Sequence, residues 1–239
     1  MKNETRSGTD MKNDIDINKL EMREVYLTCP VKSEDLVPLK LGDQVYLSGV
    51  IFTGREGLYQ RLIEQNLELP VPVTEISNVN FQCSPAATAN EEGYVVKAVT
   101  ATASFRFGKW MEAFFKKTAC KIIIGKAGMT SADYKKHFVP AGAVYLTTVG
   151  YGLGATYGRA IRKVLNAYWL EELGVAQAVW VLEVEKMGPF IVESDSEGNS
   201  LFELCNEKVN ENLKSLYEKF PQPVLRRFGE EVDRENEMI

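Results

Sequence analysis

Short apolar runs alternate with amphipathic segments along most of the chain. Four of the runs are rich in β-branched and aromatic residues and predict strands, namely "REVYLTCPV", "QVYLSGVIFT", "YVVKAVTATAS" and "CKIIIGKAGM". The segments "REGLYQRLIEQN" and "FGKWMEAFFKKTA" carry apolar residues at the spacing of a helix. Because strands and helices alternate with short connections, the pattern predicts an α/β fold, a single domain with a mixed sheet and flanking helices.

Proline, glycine and capping residues set several further boundaries. "NVNFQCSP" predicts a strand that ends at Pro85, and "TSADYKKHF" predicts a helix capped by Thr130 or Ser131. "AQAVWVLEVEKMGPFIVESDSEGN" predicts two strands joined at Gly188-Pro189. "LFELCNEKVNENLKSLYEKF" predicts a final helix that ends before Pro221.

The segment "AVYLTTVGYGLGATYGRAIRKVL" joins a strand to a glycine cluster. The strand is predicted to end at Val149, and a helical pattern with cations follows the cluster. The glycines and the cations after them are Gly150, Gly152, Gly154, Gly158, Arg159, Arg162 and Lys163.

Two interpretations of this glycine cluster stay open. A dinucleotide-binding turn has the spacing G-x-G-x-x-G directly after the first strand of its unit. Here the spacing is G-x-G-x-x-x-G, and it follows at least four predicted strands. Glycines also permit close packing of a helix on a strand and a tight exit from the strand. The spacing favours the packing interpretation, in which Arg159 and Arg162 face solvent or a partner chain.

The composition limits the classes of partner. The 239 residues are 45% apolar and carry a net charge of −5, so no overall basic field attracts nucleic acid. No apolar run approaches the roughly 18 residues of a membrane span, and the N-terminus lacks the apolar core of a signal peptide. These features predict a cytoplasmic protein that binds neither nucleic acid nor membrane.

The polarity of the two ends predicts three segments. Residues 1–22 form a polar, disordered tail, residues 23–220 form the folded domain, and residues 221–239 form an acidic tail.

The thiols and the imidazole do not form a metal-binding pattern. The four cysteines include no C-x-x-C pair, which argues against a zinc site or an iron–sulfur cluster held by this chain alone. They are Cys29, Cys83, Cys120 and Cys205. The single histidine, His137, has no second histidine with which to share a metal, and a surface or capping role is favoured.

Polar side chains follow three of the predicted strands. Arg55 follows "SGVIFTG", Thr102, Ser104 and Arg106 follow "VTA", and Lys126 follows "IIIG". Ligands of open α/β sheets bind beyond the carboxyl ends of the strands. Arginine binds a carboxylate with two parallel hydrogen bonds, and lysine adds a compact charge. The pattern therefore predicts a site for a small di- or tricarboxylate, the alternative being ordinary surface cations.

At these same positions the sequence resembles the β component of the class I fumarase and L-tartrate dehydratase family. "LKLGDQVYLSGVIFTGREGLYQRLIE" is similar to the family's "LKxGDxVxLSGxIxTARDAAHKRLxE", "VTATASFRF" to "GPTTSxRMD", and "IIIGKAG" to "MIGKGG". The glycine segment resembles the family's "KHGAVYFAAVGGAAALLAKSI", and "QAVWVLEVEKMGPFIVESDSEGNSLF" resembles "EAIWxLEVExFPAIVxxDxxGNxLY". The resemblance extends over roughly residues 39–219.

The resemblance implies a swivelling β/β/α-type domain in a two-component hydro-lyase. It implies an α subunit that holds a 4Fe–4S cluster, no metal or cofactor ligand in this chain, and a hydroxy-dicarboxylate substrate. By position, Thr102 is the catalytic residue, and Arg55, Arg106 and Lys126 bind the substrate carboxylates. We expect a homo- or hetero-oligomer that acts as a fumarate hydratase or tartrate dehydratase.

Several positions depart from the family pattern. Tyr59 replaces the family's histidine, Ala103 its second threonine, and Ala127 its second glycine, and Phe107 begins the pair that replaces "MD". These departures leave the cations in place and keep two alternatives open. One is a divergent, non-catalytic module of the same fold that binds a carboxylate or a partner, and the other is a nucleotide-dependent enzyme that uses the glycine turn.

Overall fold

A computed structural model describes residues 20–69, 76–91, 93–150 and 152–219. Its strands are β1 (Glu24–Cys29), β2 (Gln44–Thr53), β3 (Val79–Phe81), β4 (Cys83–Asn90), β5 (Gly93–Ala101), β6 (Ile122–Gly125), β7 (Val144–Thr148), β8 (Ile161–Tyr168) and β9 (Val179–Ser194). Its helical segments are Ser33–Leu36, Glu56–Tyr59, Gln60–Glu64, Ser104–Phe107, Gly108–Thr118, Ser131–Asp133, Tyr134–Phe138, Val139–Ala141, Gly154–Arg159, Leu170–Leu173 and Leu201–Tyr217.

The strands form a mixed sheet, as the alternating pattern predicts. Seven strands pair in the order β1-β2-β3-β6-β7-β9-β8, with β1, β2, β3, β6 and β7 parallel and β9 antiparallel to its neighbours. β9 also pairs with β2, so β2, β3, β6, β7 and β9 form a closed circuit of strands. β4 and β5 form a separate antiparallel hairpin that begins directly after β3.

Apolar side chains pack on both sides of this sheet. One cluster joins alternate residues of the strands to the glycine-turn helix, and Trp180 and Phe190 are fully buried in it. The other cluster lies under the helix Gly108–Thr118, whose predicted apolar side is buried. Its members on that helix are Trp110, Met111, Phe114 and Phe115. Amphipathic spacing therefore predicts this helix and its buried side correctly.

Three predicted boundaries are wrong. Residues 161–168 form strand β8 instead of continuing the glycine-turn helix, because they pair with β9 and this long-range pairing overrides the local helical spacing. β9 is one strand of 16 residues that passes through the cis Gly188–Pro189 bond, instead of two strands. Pro85 does not end a strand, since it lies inside β4 opposite Val99.

The predicted capping residue is confirmed at Thr130. Its hydroxyl accepts a hydrogen bond from the Asp133 amide at 3.1 Å, and the Asp133 carboxylate accepts one from the Thr130 amide at 3.3 Å. This reciprocal pair satisfies two amides that the first turn of a helix leaves free.

The chain divides into two compact units, residues 1–204 and residues 205–239. The sheet and the candidate site belong to the first unit. The described part of the second unit continues the final helix, Leu201–Tyr217, which the sequence predicts. The predicted tail of residues 221–239, and all but the last three residues of the tail of residues 1–22, lie outside the described residues. Within the described ranges, no helix is long and apolar enough to cross a membrane.

Candidate functional site

The carboxyl ends of four parallel strands meet at one edge of the sheet. Arg55 follows β2, Gln82 follows β3, and Lys126 follows β6. The glycine turn begins after β7, the next strand in the sheet. This edge is where the strand topology predicts a ligand site.

Backbone hydrogen bonds join the Thr102 segment to the Lys126 segment. The Thr102 amide donates to the Gln82 carbonyl at 2.7 Å, and the Lys126 amide donates to the Thr102 carbonyl at 3.1 Å. The Ser104 amide then donates to the Lys126 carbonyl at 3.0 Å. The end of the β4–β5 hairpin thereby becomes an extension of the main sheet beside β6. The structure thus brings Thr102 and Lys126 together through their main chains.

Arg106 lies on the helical turn that follows this extension. The turn spans Ser104–Phe107, and the guanidinium carbon of Arg106 lies 5.3 Å from the centre of the Phe107 ring. Arg106 is exposed, as is Phe105, whose side chain remains 63% accessible. Phe107 is fully buried in the aromatic cluster. Arg106 therefore stands at an open rim.

Arg55 lies at the end of β2 and reaches the hairpin. Its guanidinium donates to the hydroxyl of Ser84 and, at 3.4 Å, to the carbonyl of Ala176. Its Nε atom is buried without a hydrogen-bond partner. Ser84 pairs with Thr100 two residues before Thr102, so Arg55 is connected to the Thr102 strand from the opposite side to Lys126. A buried donor without a partner is rare in folded proteins, and a bound carboxylate would satisfy it.

The turn after Lys126 has an unusual backbone. Ala127 and Gly128 both adopt left-handed conformations, with φ of 66° and 69°. A β-carbon at Gly128 would lie 2.9 Å from the hydroxyl of Tyr134 and 3.1 Å from Oε2 of Glu193, so glycine is required there. Ala127 stands where the family pattern has glycine, and this conformation costs a non-glycine residue about 1–2 kcal/mol.

A cavity of about 270 Å³ lies between Lys126 and the glycine turn. Among the described residues, its lining includes Lys126 but not Arg55, Thr102 or Arg106. The lining residues are Val99, Thr100, Ala101, Lys126, Thr148, Gly150, Gly152, Gly154, Ala155 and Tyr157. One of the four predicted site residues therefore faces this cavity, and the other three stand on the neighbouring turns.

The glycines of the turn serve two purposes. β-carbons at Gly154 and Gly158 would lie 2.6 Å from the Val99 carbonyl and 2.1 Å from the Lys97 carbonyl, both on β5. Gly150 and Gly152 have positive φ and open space around them, and both line the cavity. The predicted close packing of a helix on a strand is thus confirmed.

A second cavity, of about 370 Å³, lies at the amino end of β6. Lys121, Lys136 and His137 are among its lining residues, and none of the four predicted site residues is. It opens at the end of β6 opposite Lys126, away from the carboxyl ends of the parallel strands.

The described cysteines do not fit a cluster. Cys29, Cys83 and Cys120 are buried and Cys205 is half-buried, and all four are free thiols. Burial raises the pKa of Cys29 and of Cys120 to about 12, so these thiols are protonated at neutral pH. A cysteine binds a metal as its thiolate. Among the described residues, no three Cys, His, Asp or Glu side chains are placed to hold a metal ion.

Sequence reasoning missed a buried polar layer beneath the site. Tyr59 donates to Asn80 at 2.9 Å and accepts from Gln82 at 2.7 Å, and Tyr145 donates to Ser104 at 2.7 Å. Each of these five residues is fully buried. Asn80, Gln82 and Tyr145 look like ordinary members of their elements in the sequence, so no local signal marks them. Tyr59 and Ser104 stand out in the sequence, but nothing there indicates that they belong to this layer.

Glu193 is a further buried polar residue behind the Lys126 turn. Its Oε1 accepts from the Ser200 hydroxyl at 2.6 Å, while Oε2 has no hydrogen-bond partner. Burial raises the pKa of its carboxyl, the hydrogen bond from Ser200 and the proximity of Tyr134 oppose the rise, and the charge of Glu203 adds to it. The fold therefore favours the protonated form of this side chain more than the unfolded chain does.

The pH dependence of stability tests this assignment. The pKa of Glu193 is higher in the folded than in the unfolded chain, so its contribution is greatest below the unfolded value and is lost as the pH rises through the folded value. We expect Glu193→Gln to gain stability relative to wild type as the pH rises from about 4 to 8, by at most about 1.4 kcal/mol per pH unit. Urea unfolding across this range measures it. With exposed Glu171→Gln as the control, a constant difference at all pH values would refute the assignment.

The chain is similar in sequence to a known family and to two named β subunits. Residues 2–205 match the family model described as Fumarase C-terminus. "Putative L(+)-tartrate dehydratase subunit beta" of Methanocaldococcus jannaschii is 38% identical over 186 residues, which cover 77% of this chain and 93% of the relative. "L(+)-tartrate dehydratase subunit beta" of Escherichia coli K12 is 30% identical over 214 residues, which cover 86% of this chain and 96% of the relative.

A longer relative matches in one part only. "Putative fumarate hydratase class I" of Geobacillus stearothermophilus is 32% identical over 209 residues, which cover 86% of this chain but 38% of that protein. In this relative, the counterpart of the chain is one section of a larger polypeptide. The chain belongs to the fumarase C-terminus family and is a β component of that family.

Proposed function

We propose that the chain is the β subunit of a two-component, 4Fe–4S-dependent hydro-lyase. It adds or removes water on a small hydroxy-dicarboxylate, in the manner of a fumarate hydratase or tartrate dehydratase. The observation that carries this proposal is the backbone pairing of Thr102 with Lys126 at the sheet edge, flanked by Arg55 and Arg106. The names of the relatives support the reaction class and a partner subunit.

The cations of this chain bind and orient the substrate. Two carboxylates require two positive groups at opposite ends of a short molecule, and Arg55 and Lys126 lie on opposite sides of the Thr102 strand. Arg106, at the open rim, meets the carboxylate that faces the partner subunit. Fixing both ends holds the reacting carbons in one orientation, which lowers the entropic part of the barrier.

Thr102 exchanges a proton with the substrate carbon. Thr102 is buried, at 7% exposure, and its main chain is hydrogen-bonded to Gln82 and Lys126. Nearby positive charge favours the deprotonated form of a hydroxyl group. The cluster of the α subunit, when bound, supplies a Lewis-acidic iron for the substrate hydroxyl and carboxylate.

Anaerobic co-expression with a cluster-bearing α subunit tests the proposal. We expect the purified complex to interconvert hydroxy-dicarboxylates with their dehydrated products, and the isolated chain to be inactive. Tartrate, malate and fumarate are the first substrates, followed by absorbance at the wavelength of the unsaturated or keto product. A complex with an intact cluster spectrum and no turnover of any of them would favour the non-catalytic, carboxylate-binding alternative.

Arg106→Ala is expected to lower kcat/KM of the complex by about 10- to 100-fold. A hydrogen bond between charged groups contributes about 1.5–3 kcal/mol, which corresponds to this range. Arg162→Ala is the matched control, because Arg162 is 57% exposed and pairs with Glu185 on the sheet surface at 2.8 Å. Steady-state kinetics of both variants measure the difference. Equal losses of kcat/KM in the two variants would show that Arg106 does not bind the substrate.

A further inference from the structure

Three polar side chains from different elements converge on Gly125, the last residue of β6. A β-carbon at Gly125 would lie 1.9 Å from the hydroxyl of Ser104, 2.6 Å from that of Tyr145 and 3.0 Å from Oε1 of Gln82. All four residues are buried, and the Gln82 oxygen has no hydrogen-bond partner. Lys126 is the next residue along the chain, so this cluster lies directly beneath the candidate site.

The Tyr145 hydroxyl lies beside Gly125 and is hydrogen-bonded to the Thr102–Arg106 turn. It donates to Ser104 at 2.7 Å, and Ser104 lies between Thr102 and Arg106 in the chain. Burial raises the pKa of the Tyr145 phenol well above its usual value, and the opposing effects of Ser104 and of the Gly128 amide are smaller, so the phenol stays neutral. It therefore remains a hydrogen-bond donor at physiological pH.

A second tyrosine supports the Lys126 turn from below. The Met129 amide donates to the Tyr134 hydroxyl at 2.7 Å, and the rings of Tyr134 and Tyr145 lie 5.7 Å apart. Tyr145 thus contacts the turn that contains Ser104, Tyr134 contacts the turn that follows Lys126, and the two rings pack in one buried aromatic layer.

We propose that Tyr145 and Ser104 form a positioning pair that fixes the distance between the Thr102–Arg106 turn and the Lys126 turn, and that Gly125 is required because only glycine leaves room for their hydrogen bond. This inference rests on the proposed function for its catalytic consequence. Its structural part, the coupling of the two turns, stands without it.

The catalytic consequence follows from the place of Ser104. Removing the Tyr145 hydroxyl leaves the Ser104 hydroxyl buried with only the distant Thr102 carbonyl, at 3.4 Å, as a partner. A shift of the Ser104 turn moves Thr102 and Arg106 together relative to Lys126. A displacement of about 1 Å in a catalytic group costs about 100-fold in rate.

Deleting any buried hydroxyl destabilises a protein, so the control must match that cost. Thr118 is fully buried, and its hydroxyl donates to the Phe114 carbonyl at 2.7 Å and accepts from the Cys120 amide at 3.3 Å. It precedes β6, at the end opposite Lys126. Thr118→Val therefore removes a buried hydroxyl with two partners while leaving the site edge untouched.

The kinetic arm uses the complex with the α subunit. We expect Tyr145→Phe and Ser104→Ala each to lower kcat by about 10-fold or more, and the double variant to lose little beyond either single one, because all three break the same interaction. Thr118→Val keeps the kcat of wild type. Independent, multiplicative losses, or an equal loss in Thr118→Val, would overturn the positioning role.

The second arm needs no activity. Hydrogen exchange of the isolated chain measures the exchange rates of the amides of Ser104, Lys126 and Gly128. Urea unfolding measures the global stability of each variant. We expect Tyr145→Phe to accelerate exchange at these three amides at least 10-fold more than Thr118→Val does. Equal acceleration in both variants would overturn the inference. If the wild-type complex is inactive, the proposed function fails, and the exchange data alone decide the coupling of the turns.

Discussion

Thr102→Val is expected to lower kcat of the assembled enzyme by about 100-fold or more, with little change in KM. Proton transfer by a positioned side chain contributes about 100- to 10,000-fold to a rate. Valine keeps the shape of threonine but has no hydroxyl, while the main-chain hydrogen bonds to Gln82 and Lys126 remain. The cations proposed to bind the substrate therefore keep their places, so the loss is expected in the chemical step.

The control for this variant is Thr88→Val, an exposed threonine on the same β4–β5 hairpin. We expect its kcat and KM to equal those of wild type. Steady-state kinetics with the preferred dicarboxylate measure both variants. Full turnover by Thr102→Val would show that Thr102 takes no part in the chemical step, without contradicting the proposed carboxylate-binding residues.

Gly158→Ala is expected to destabilise the chain by about 3 kcal/mol or more. The new β-carbon would lie 2.1 Å from the carbonyl oxygen of Lys97, 2.3 Å from its carbonyl carbon and 2.6 Å from the amide nitrogen of Ala98. All three atoms belong to the backbone of β5, which cannot turn away as a flexible side chain would. The helix Gly154–Arg159 must therefore move off the strand, and the cavity wall moves with it.

Gly108→Ala serves as the matched control. Gly108 begins the helix Gly108–Thr118 with φ of −50°, and its nearest new contact would be the carboxylate of Asp133 at 3.2 Å, a side chain that has to move by only a few tenths of an ångström. Alanine favours a helix over glycine by up to about 1 kcal/mol, so we expect this variant to stay within about 1 kcal/mol of wild type. Urea unfolding measures both glycine variants, and a Gly158→Ala chain as stable as Gly108→Ala would contradict the packing argument.

The open rim at Arg106 fits a chain that works with a partner. Arg106 and Phe105 are exposed, while Thr102 is buried. Under the proposed function, the α subunit covers this rim and completes the carboxylate site. Arg106→Ala, compared with its control Arg162→Ala in the complex, therefore tests the interface and the chemistry together. The two glycine variants test the packing of the fold.

Local pattern was sufficient where an element is stabilised by its own apolar side. β2 spans Gln44–Thr53, the residues of the predicted apolar run, and the helix Gly108–Thr118 buries the side that its spacing indicates. β2 is a continuous run rich in β-branched and aromatic residues, and the helix keeps helical spacing over 11 residues, so competing structures would expose their apolar side chains. The family was recognisable for a related reason, because its motifs lie at strand ends that the pattern also predicts.

Local pattern failed where a distant strand chooses the conformation. Apolar residues at 161, 164 and 165 fit a helix and also fit a half-buried strand, and only pairing with β9 selects the strand. The predicted strand end at Pro85 is wrong for a similar reason, because the β4–β5 hairpin accommodates Pro85 inside β4, opposite Val99. In both cases the deciding hydrogen bonds join residues that are far apart in sequence.

The amino-acid sequence by itself therefore determines the fold class and the family of this chain, and it predicts the four site residues Arg55, Thr102, Arg106 and Lys126. It does not settle what each glycine does or which buried side chains support the site. Gly150 and Gly158 occur in one run of glycines, yet one faces an open cavity and the other touches a backbone carbonyl. Tyr145 joins two turns only because β7 lies beside β6. Those roles depend on neighbours that folding brings together, and a single chain position carries no record of its neighbours in space.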